Sequence, residues 1–353
     1  MDSKIKLDLK DKKLLYYYSK NFRIPLNELG KKVELSKDSA RYRIKRMEDS
    51  GIIYKRKAII DPVRSGHELI EVFLRFQNLT LEKEKELINY FINNKQVLVV
   101  YPLKGFYDLK ILIDAKNMIQ FDRTMSEIRN YCGDILADSM YLIEAFELKF
   151  TELCEGYFEG LNLKKESYDK KDSSFEYYLQ RFGSLLVKHQ EVYVLNEKEL
   201  KIIDFLNKEP TITLTDLAKK TGYSKDTLKN TIIDLIKGGI LQFFWPLIDY
   251  KKIGLDYHLL FIEFNSLDEK ETEKLKKYFF SQKFVQRAVK VIGDWDLVVL
   301  INARDIDHFQ EMFNDIRKTF EGRIKRFESM LVKSPLKFDV IEPFIESEKK
   351  PMF

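Results

Sequence analysis

Cysteine and histidine are scarce, with two of the first and four of the second in 353 residues. Cys132 and Cys154 cannot make a disulfide framework and read as incidental reduced thiols. The histidines, His67, His189, His258 and His308, are scattered without metal-ligand spacing, so no metal site is expected. No apolar run approaches the roughly 18 residues of a membrane span. The opening Met1-Asp2-Ser3-Lys4-Ile5-Lys6 lacks the apolar core of a signal peptide. A cytoplasmic chain with no membrane partner is the expectation. Phosphate-cradling glycine-rich loops are absent, and no Ser/His/Asp or Cys/His constellation stands out. No catalytic residues and no cofactor are therefore expected, and the chain does not read as an enzyme. The net charge of +5 is too small to mark a nucleic-acid binder by itself.

What is present is a long internal repeat. Ser36-Lys37-Asp38-Ser39 returns as Ser224-Lys225-Asp226-Thr227, and Gly51-Ile52-Ile53 as Gly239-Ile240-Leu241. Ile60-Asp61 returns as Ile248-Asp249, Gly66 as Gly254, and Leu148-Lys149-Phe150 as Leu336-Lys337-Phe338. A single offset of 188 residues holds from about residue 8 to 150. Solenoid units are roughly 20–50 residues long, so this is a duplication of a whole domain set.

Each copy opens with a helical third. Asp8 and Asn196 can cap a first helix, with Asp11 and Glu199 three residues on. Thr213 caps a second helix in copy two, where copy one has Pro25. Ser36 and Ser224 cap a third, whose inward face is Ala40, Ile44 and Met47, or Leu228, Ile232 and Leu235. Gly51 and Gly239 stop it, and a strand pair is expected to follow. This is the pattern of a winged helix-turn-helix. The remainder alternates strand, helix, strand, strand, helix, strand, a ferredoxin-like order. A capping box is expected at Ser266 and Glu269, and the last strand of copy two is expected near Arg323–Phe338. The chain thus divides into α+β units. Winged helix-turn-helix units occupy 1–62 and 196–250, ferredoxin-like units 66–150 and 254–342, and a linker 151–195. Lys164–Ser174 reads as a mobile, charged stretch, and Phe175–Leu195 as ordered.

The basic surface is the sharpest functional signal. Across Ser36–Lys57 eight Lys and Arg residues face three Asp and Glu, a net +5, against +1 over residues 224–245. With Ala40, Ile44 and Met47 inward, Lys37, Asp38, Arg41, Tyr42 and Lys45 fall on outer faces of the third helix. That geometry suits base edges and phosphates in a major groove. Lys55, Arg56 and Lys57 suit backbone phosphates. Copy two has Gln242-Phe243-Phe244-Trp245-Pro246 there, a run suited to packing against protein.

These features together resemble the Lrp/AsnC family of leucine-responsive and feast/famine regulators. The helix-turn-helix likeness rests on Asn21-Phe22-Arg23-Ile24, Leu26-Asn27-Glu28-Leu29, Leu35-Ser36, Arg43-Ile44, Met47 and Ser50-Gly51-Ile52-Ile53. Gly105-Phe106-Tyr107-Asp108 and Gly293-Asp294-Trp295-Asp296 resemble the Gly-x-x-Asp turn of the family's effector-binding RAM domain. The resemblance implies a sequence-specific regulator that binds double-stranded DNA, with Arg43 in its reading head. It also implies an amino-acid or other small-molecule effector bound near Gly105, Asp108, Gly293 and Asp296. The usual family member has one such unit per chain; this one has two, and Thr231 stands at the Arg43 position of copy two. The two RAM domains are expected to pair within the chain as a pseudo-dimer, with a homodimer of such chains as the second arrangement. Two alternatives remain open. One is an enzyme of the family's haem-pathway decarboxylase branch, and the other is an architectural DNA-binding protein of low specificity.

Overall fold

The structure, a computed structural model, describes residues 6–151, 153–161, 163 and 192–349. The expected mobile stretch 164–174, and the part of 175–195 before residue 192, lie outside the described residues.

Each half begins with three helices: α1 (Leu9–Lys20), α2 (Leu26–Val33) and α3 (Lys37–Asp49), then α6 (Glu197–Lys208), α7 (Leu214–Thr221) and α8 (Lys225–Lys237). Asp8 with Asp11, and Asn196 with Glu199, form reciprocal capping boxes that satisfy amides left unpaired at a helix start. Ser36, Thr213 and Ser224 each accept from the backbone three residues on, while Pro25 caps without a side-chain bond. Gly51 and Gly239 take positive φ just past α3 and α8, a conformation L side chains resist.

The strand pair departs from expectation. Each half supplies one wing strand, β1 (Ile53–Ile60) or β6 (Leu241–Ile248), and the two pair with each other. Ile53 lies opposite Ile248, Arg56 opposite Pro246, and Ile60 opposite Leu241. In the first half the chain turns at once into a 3-10 turn at Pro62–Ser65 that ends on Gly66. The ladder is completed by the other half. One apolar core then runs through both helical units, joining Leu15, Met47 and Ile52 to Ile203, Leu235 and Phe244.

The ferredoxin-like elements are β2 (Glu68–Phe76), α4 (Leu81–Asn93), β3 (Val97–Lys104), β4 (Leu109–Ala115), α5 (Met118–Cys132) and β5 (Leu136–Phe150). Their counterparts are β7 (Asp256–Phe264), α9 (Glu269–Ser281), β8 (Val285–Ile292), β9 (Leu297–Ala303), α10 (Ile306–Thr319) and β10 (Ile324–Val332). A short β11 (Lys337–Phe338) and α11 (Ile341–Lys349) follow. The strand order is β10-β7-β9-β8-β5-β2-β4-β3-β11, and β10 also pairs with β3. The two four-stranded sheets therefore join at β5–β8 and again at β10–β3, closing into a barrel. The halves pair within one chain.

The side-chain period of two sorts the strands. Ile70, Val72 and Leu74 of β2 pack outward beneath α4 and α5. Phe73 points to the other face, where Leu142, Phe261, Val289 and Trp295 fill the space between the sheets. Three local expectations need correction. Asp268 with Glu271 forms the capping box of α9, in place of Ser266 with Glu269. The last strand of copy two breaks after Val332, before Pro335, so that Lys337 and Phe338 cross to β3 of the first half. The start of the expected linker is packed: Phe158 meets Tyr16 edge-on at 5.0 Å, and Cys154 is buried beside Leu255 and Phe284. Both cysteines are buried and unbridged. Helix α11 was not foreseen. It seats Ile341 and Phe344 in the shared helical core, and His67 ties to it through Glu348 at 2.7 Å while contacting Asp114 at 2.9 Å.

Candidate nucleic-acid interface and central chamber

Helix α3 is held by its inner side, and this decides which of its cations face solvent. Ala40, Ile44 and Met47 are buried. Arg43 reaches back to Asp8 and to fully buried Asp11, at 2.7 Å each, and Arg46 also pairs with Asp11. Burial raises Asp8, but the Arg43 bonds outweigh it and hold the carboxyl below its usual range. Arg43 thus anchors α3 to α1. Thr231 fills the equivalent place by bonding back to the Thr227 carbonyl at 2.9 Å. The difference between these two positions concerns helix packing.

Lys37, Asp38, Arg41, Tyr42 and Lys45 are exposed, and Tyr42 keeps 68% of its surface. Arg41 and Lys45 make only surface pairs, with Asp38 at 3.2 Å and Asp49 at 2.6 Å. Lys55 is exposed on β1. Its neighbours correct the expected wing. Arg56 is half-buried, bonded to the Tyr18 hydroxyl at 2.7 Å and paired with Glu48. Lys57 is only 5% exposed and lies 2.7 Å from Asp339 and 2.8 Å from the Asn207 amide oxygen. A buried, paired ammonium is out of reach of phosphate. The cause is the β1–β6 ribbon, which buries β1 continuously from Lys57 to Ile60. In the second half, Ile233 stands where α3 has Lys45, and Phe243 where β1 has Lys55. Phe243 stacks on Trp245 at 4.1 Å.

The Gly-x-x-Asp turns join β3 to β4 and β8 to β9. Asp108 accepts from the Phe76 amide at 2.8 Å, and Asp296 from the Phe264 amide at 2.8 Å. Their carboxylates are spent on the neighbouring strand. A Cβ on Gly105 would come within 2.9 Å of Met330, and one on Gly293 within 2.7 Å of the Tyr141 carbonyl. Each glycine touches the opposite half, so these turns serve the pairing of the two sheets. None of Gly105, Asp108, Gly293 and Asp296 lines the large cavity described next, although Lys104 beside the first turn does.

That cavity, about 1340 Å³, lies between the β1–β6 ribbon and the polar end of the barrel. Glu71, Lys110, Glu144 and Arg287 project into this end from β2, β4, β5 and β8. Arg287 contacts Glu71 at 3.1 Å, Glu147 at 2.7 Å and Glu144 at 2.5 Å, and Lys110 contacts Glu71 at 2.7 Å. Burial lowers Arg287, but its three carboxylates outweigh that and hold it well above its usual value. Burial pushes Glu144 up to about 7 and Asp61 up to about 6. Tyr250 and Tyr257, stacked at 4.9 Å, are also raised by burial. Sequence reading missed this chamber. Its one local signal was a charged residue inside an apolar strand, as with Glu71 and Lys110.

A winged helix-turn-helix DNA-binding profile matches residues 7–54 and again 195–242. The HTH-type transcriptional regulator FL11 of Pyrococcus furiosus is 30% identical over 127 residues, spanning 36% of this chain and 83% of that protein. The proline dehydrogenase transcriptional activator of Rhodobacter capsulatus is 30% identical over 140 residues, 38% of this chain and 89% of its own. The chain belongs to the Lrp/AsnC family. Its departure from those single-unit relatives is the fused second unit. Among solved structures, the siroheme decarboxylase NirDL shares the arrangement over 96% of both chains, with a TM-score of 0.59 and 13% identity. At that identity the likeness shows a common fold. In this Lrp/AsnC chain no helix among the described residues is long and apolar enough to cross a membrane.

Proposed function

We propose that the chain is a sequence-specific, DNA-binding transcription regulator of the cytoplasm that reads duplex DNA mainly through its first half and senses a small metabolite. The observation carrying this is the outer face of α3, where Lys37, Arg41, Tyr42 and Lys45 stand exposed on a buried anchor, with Lys55 beside them. A helix so held presents side chains to base edges while Lys55 supplies a phosphate contact. Support comes from relatives named as transcriptional regulators in both archaea and bacteria. The second head keeps Lys225 and Lys229 but has Ile233 and Phe243 in place of Lys45 and Lys55, and acts as a partner for the first through the ribbon. Selecting bound fragments from genomic DNA tests the reading. One enriched motif, bound far more tightly than bulk DNA, supports it; uniform weak binding points to an architectural protein.

A second reading, an enzyme of the haem-pathway decarboxylase type, draws on one observation. The chamber is roomy and holds Glu144, whose carboxyl titrates near 7, beside buried tyrosines. Acid–base chemistry favours groups titrating near the working pH. A Soret band in the purified protein, or tight binding of a haem precursor, would favour this reading over the regulator.

A further inference from the structure

We propose that the chamber beneath the β1–β6 ribbon binds a flat aromatic molecule carrying a protonated amine, and that occupancy there is what the chain senses. The sensing part rests on the regulatory reading above; the binding part does not.

The charge inside the chamber selects a cation. At its centre three carboxylates, Glu71, Glu144 and Glu147, face two cations, Lys110 and Arg287. Both cations are already engaged, so an anionic ligand would have to displace a carboxylate. Asp61, at the end of β1, lies close enough to Glu147 for their charges to repel. Among other basic residues of the wall, Arg64 donates to the Gly238 carbonyl at 3.1 Å and Lys149 to the Gln282 carbonyl. Lys104, Lys251 and Lys333 are exposed to solvent. Burial, with repulsion from Glu71 and Glu147, raises Glu144 despite its pair with Arg287, and burial with Glu147 raises Asp61. The carboxylates outnumber the cations at this centre, and an ammonium group would offset that excess.

The walls select the ring. Phe243 and Trp245 stack at 4.1 Å, and Phe150 meets Trp245 edge-on at 4.9 Å. All three line the chamber. The volume exceeds the roughly 300–1,000 Å³ usual for small-molecule sites, so a ring system fits with water around it.

The position supplies the coupling. The ribbon above the chamber continues directly from α3 through Gly51, and from α8 through Gly239. A molecule wedged beneath it biases how the reading head sits, provided it binds one arrangement more tightly.

Calorimetry on the full chain, with tryptamine and its charge-reversed counterpart indole-3-propionate, tests the site. Tryptamine should bind, and the propionate should bind at least about tenfold more weakly. Amine affinity should rise between pH 6 and 8, as Glu144 and Asp61 ionise. Glu144→Gln and, separately, Asp61→Asn should each weaken the amine by about three- to tenfold. Asp61→Asn serves where Glu144→Gln fails to fold. Equal or tighter propionate binding, no binding of either molecule, or two folded variants matching the parent would overturn the site. Gel shifts on a selected operator, with and without tryptamine, address sensing alone. An amine that binds yet leaves DNA affinity unchanged overturns the sensing role and leaves the site standing. A chain that binds no DNA while binding the amine refutes the regulator and not the pocket.

Discussion

Replacing Lys57 by methionine should weaken folding while leaving the grip on DNA unchanged. The Lys57 ammonium lies 2.7 Å from Asp339 and 2.8 Å from the Asn207 amide oxygen, and only 5% of the residue is exposed. Methionine keeps the apolar stem and removes the charge. Asp339 would then retain the Asn207 amide at 3.4 Å and the Ile341 and Glu342 amides at 3.3 and 3.2 Å. Breaking a buried pair from one side typically costs about 3–5 kcal/mol. The remaining donors soften this, so about 2–3 kcal/mol is expected, read as a lower urea midpoint at constant slope. The pH dependence follows from Asp339. Burial raises its carboxyl, but Lys57 outweighs that and holds it below 3.8. The pair's contribution is therefore complete above that unfolded value and lost as pH falls through the lower folded one. The gap between variant and parent should close in strong acid. Lys55→Ala is the contrasting variant. It should leave the urea midpoint unchanged and reduce the slope of log affinity against log salt by about one unit. The reasoning fails if Lys57→Met keeps full stability and lowers the salt slope instead.

Asp296→Ala should lose about 1–2 kcal/mol in denaturant titrations by leaving the part-buried Phe264 amide without its acceptor, and Asp108→Ala less than about 1 kcal/mol, because water reaches the exposed Phe76 amide. Neither should change small-molecule binding; a folded variant that loses ligand would restore these residues to an effector site. Arg41→Ala combined with Lys45→Ala should weaken operator binding at least tenfold and relax base preference. The same change at Lys225 and Lys229 should do much less, and equal losses in gel shifts would refute the asymmetry between the halves. Glu144 is raised from 4.5 to about 7, so the stability it contributes is complete below about 4.5 and disappears as pH rises through 7. Thermal melts should therefore fall over that window, and Glu144→Gln should flatten the fall; an unchanged pH profile in the variant would assign it to other groups.

Much of the fold was legible along the chain because its causes are local. Asp8, Ser36 and Ser224 cap their helices by reaching three residues ahead, and Gly51 and Gly239 end theirs by a backbone conformation. Alternation in β2 set Val72, Leu74 and Phe76 on one face, where they pack with Ile70. The constant offset of 188 residues returned the same elements in the second half. On α3 the inward triplet also identified Lys37, Asp38, Arg41, Tyr42 and Lys45 as outward.

Most of the misread site residues depend on partners far along the chain. Arg43 looked like a reading residue until Asp8 and Asp11, more than thirty positions earlier, took its guanidinium. Lys57 looked like a phosphate contact, yet its counter-ion is Asp339, 282 positions away. Spacing within a segment carries no record of such pairings, since they exist only once β1 has met β6 and the two sheets have closed. Local periodicity determined which way each side chain points from its own helix or strand. Only the tertiary structure decided what it meets there, and so made one set of lysines a candidate DNA surface, another a buried brace, and four interior strands the floor of a chamber.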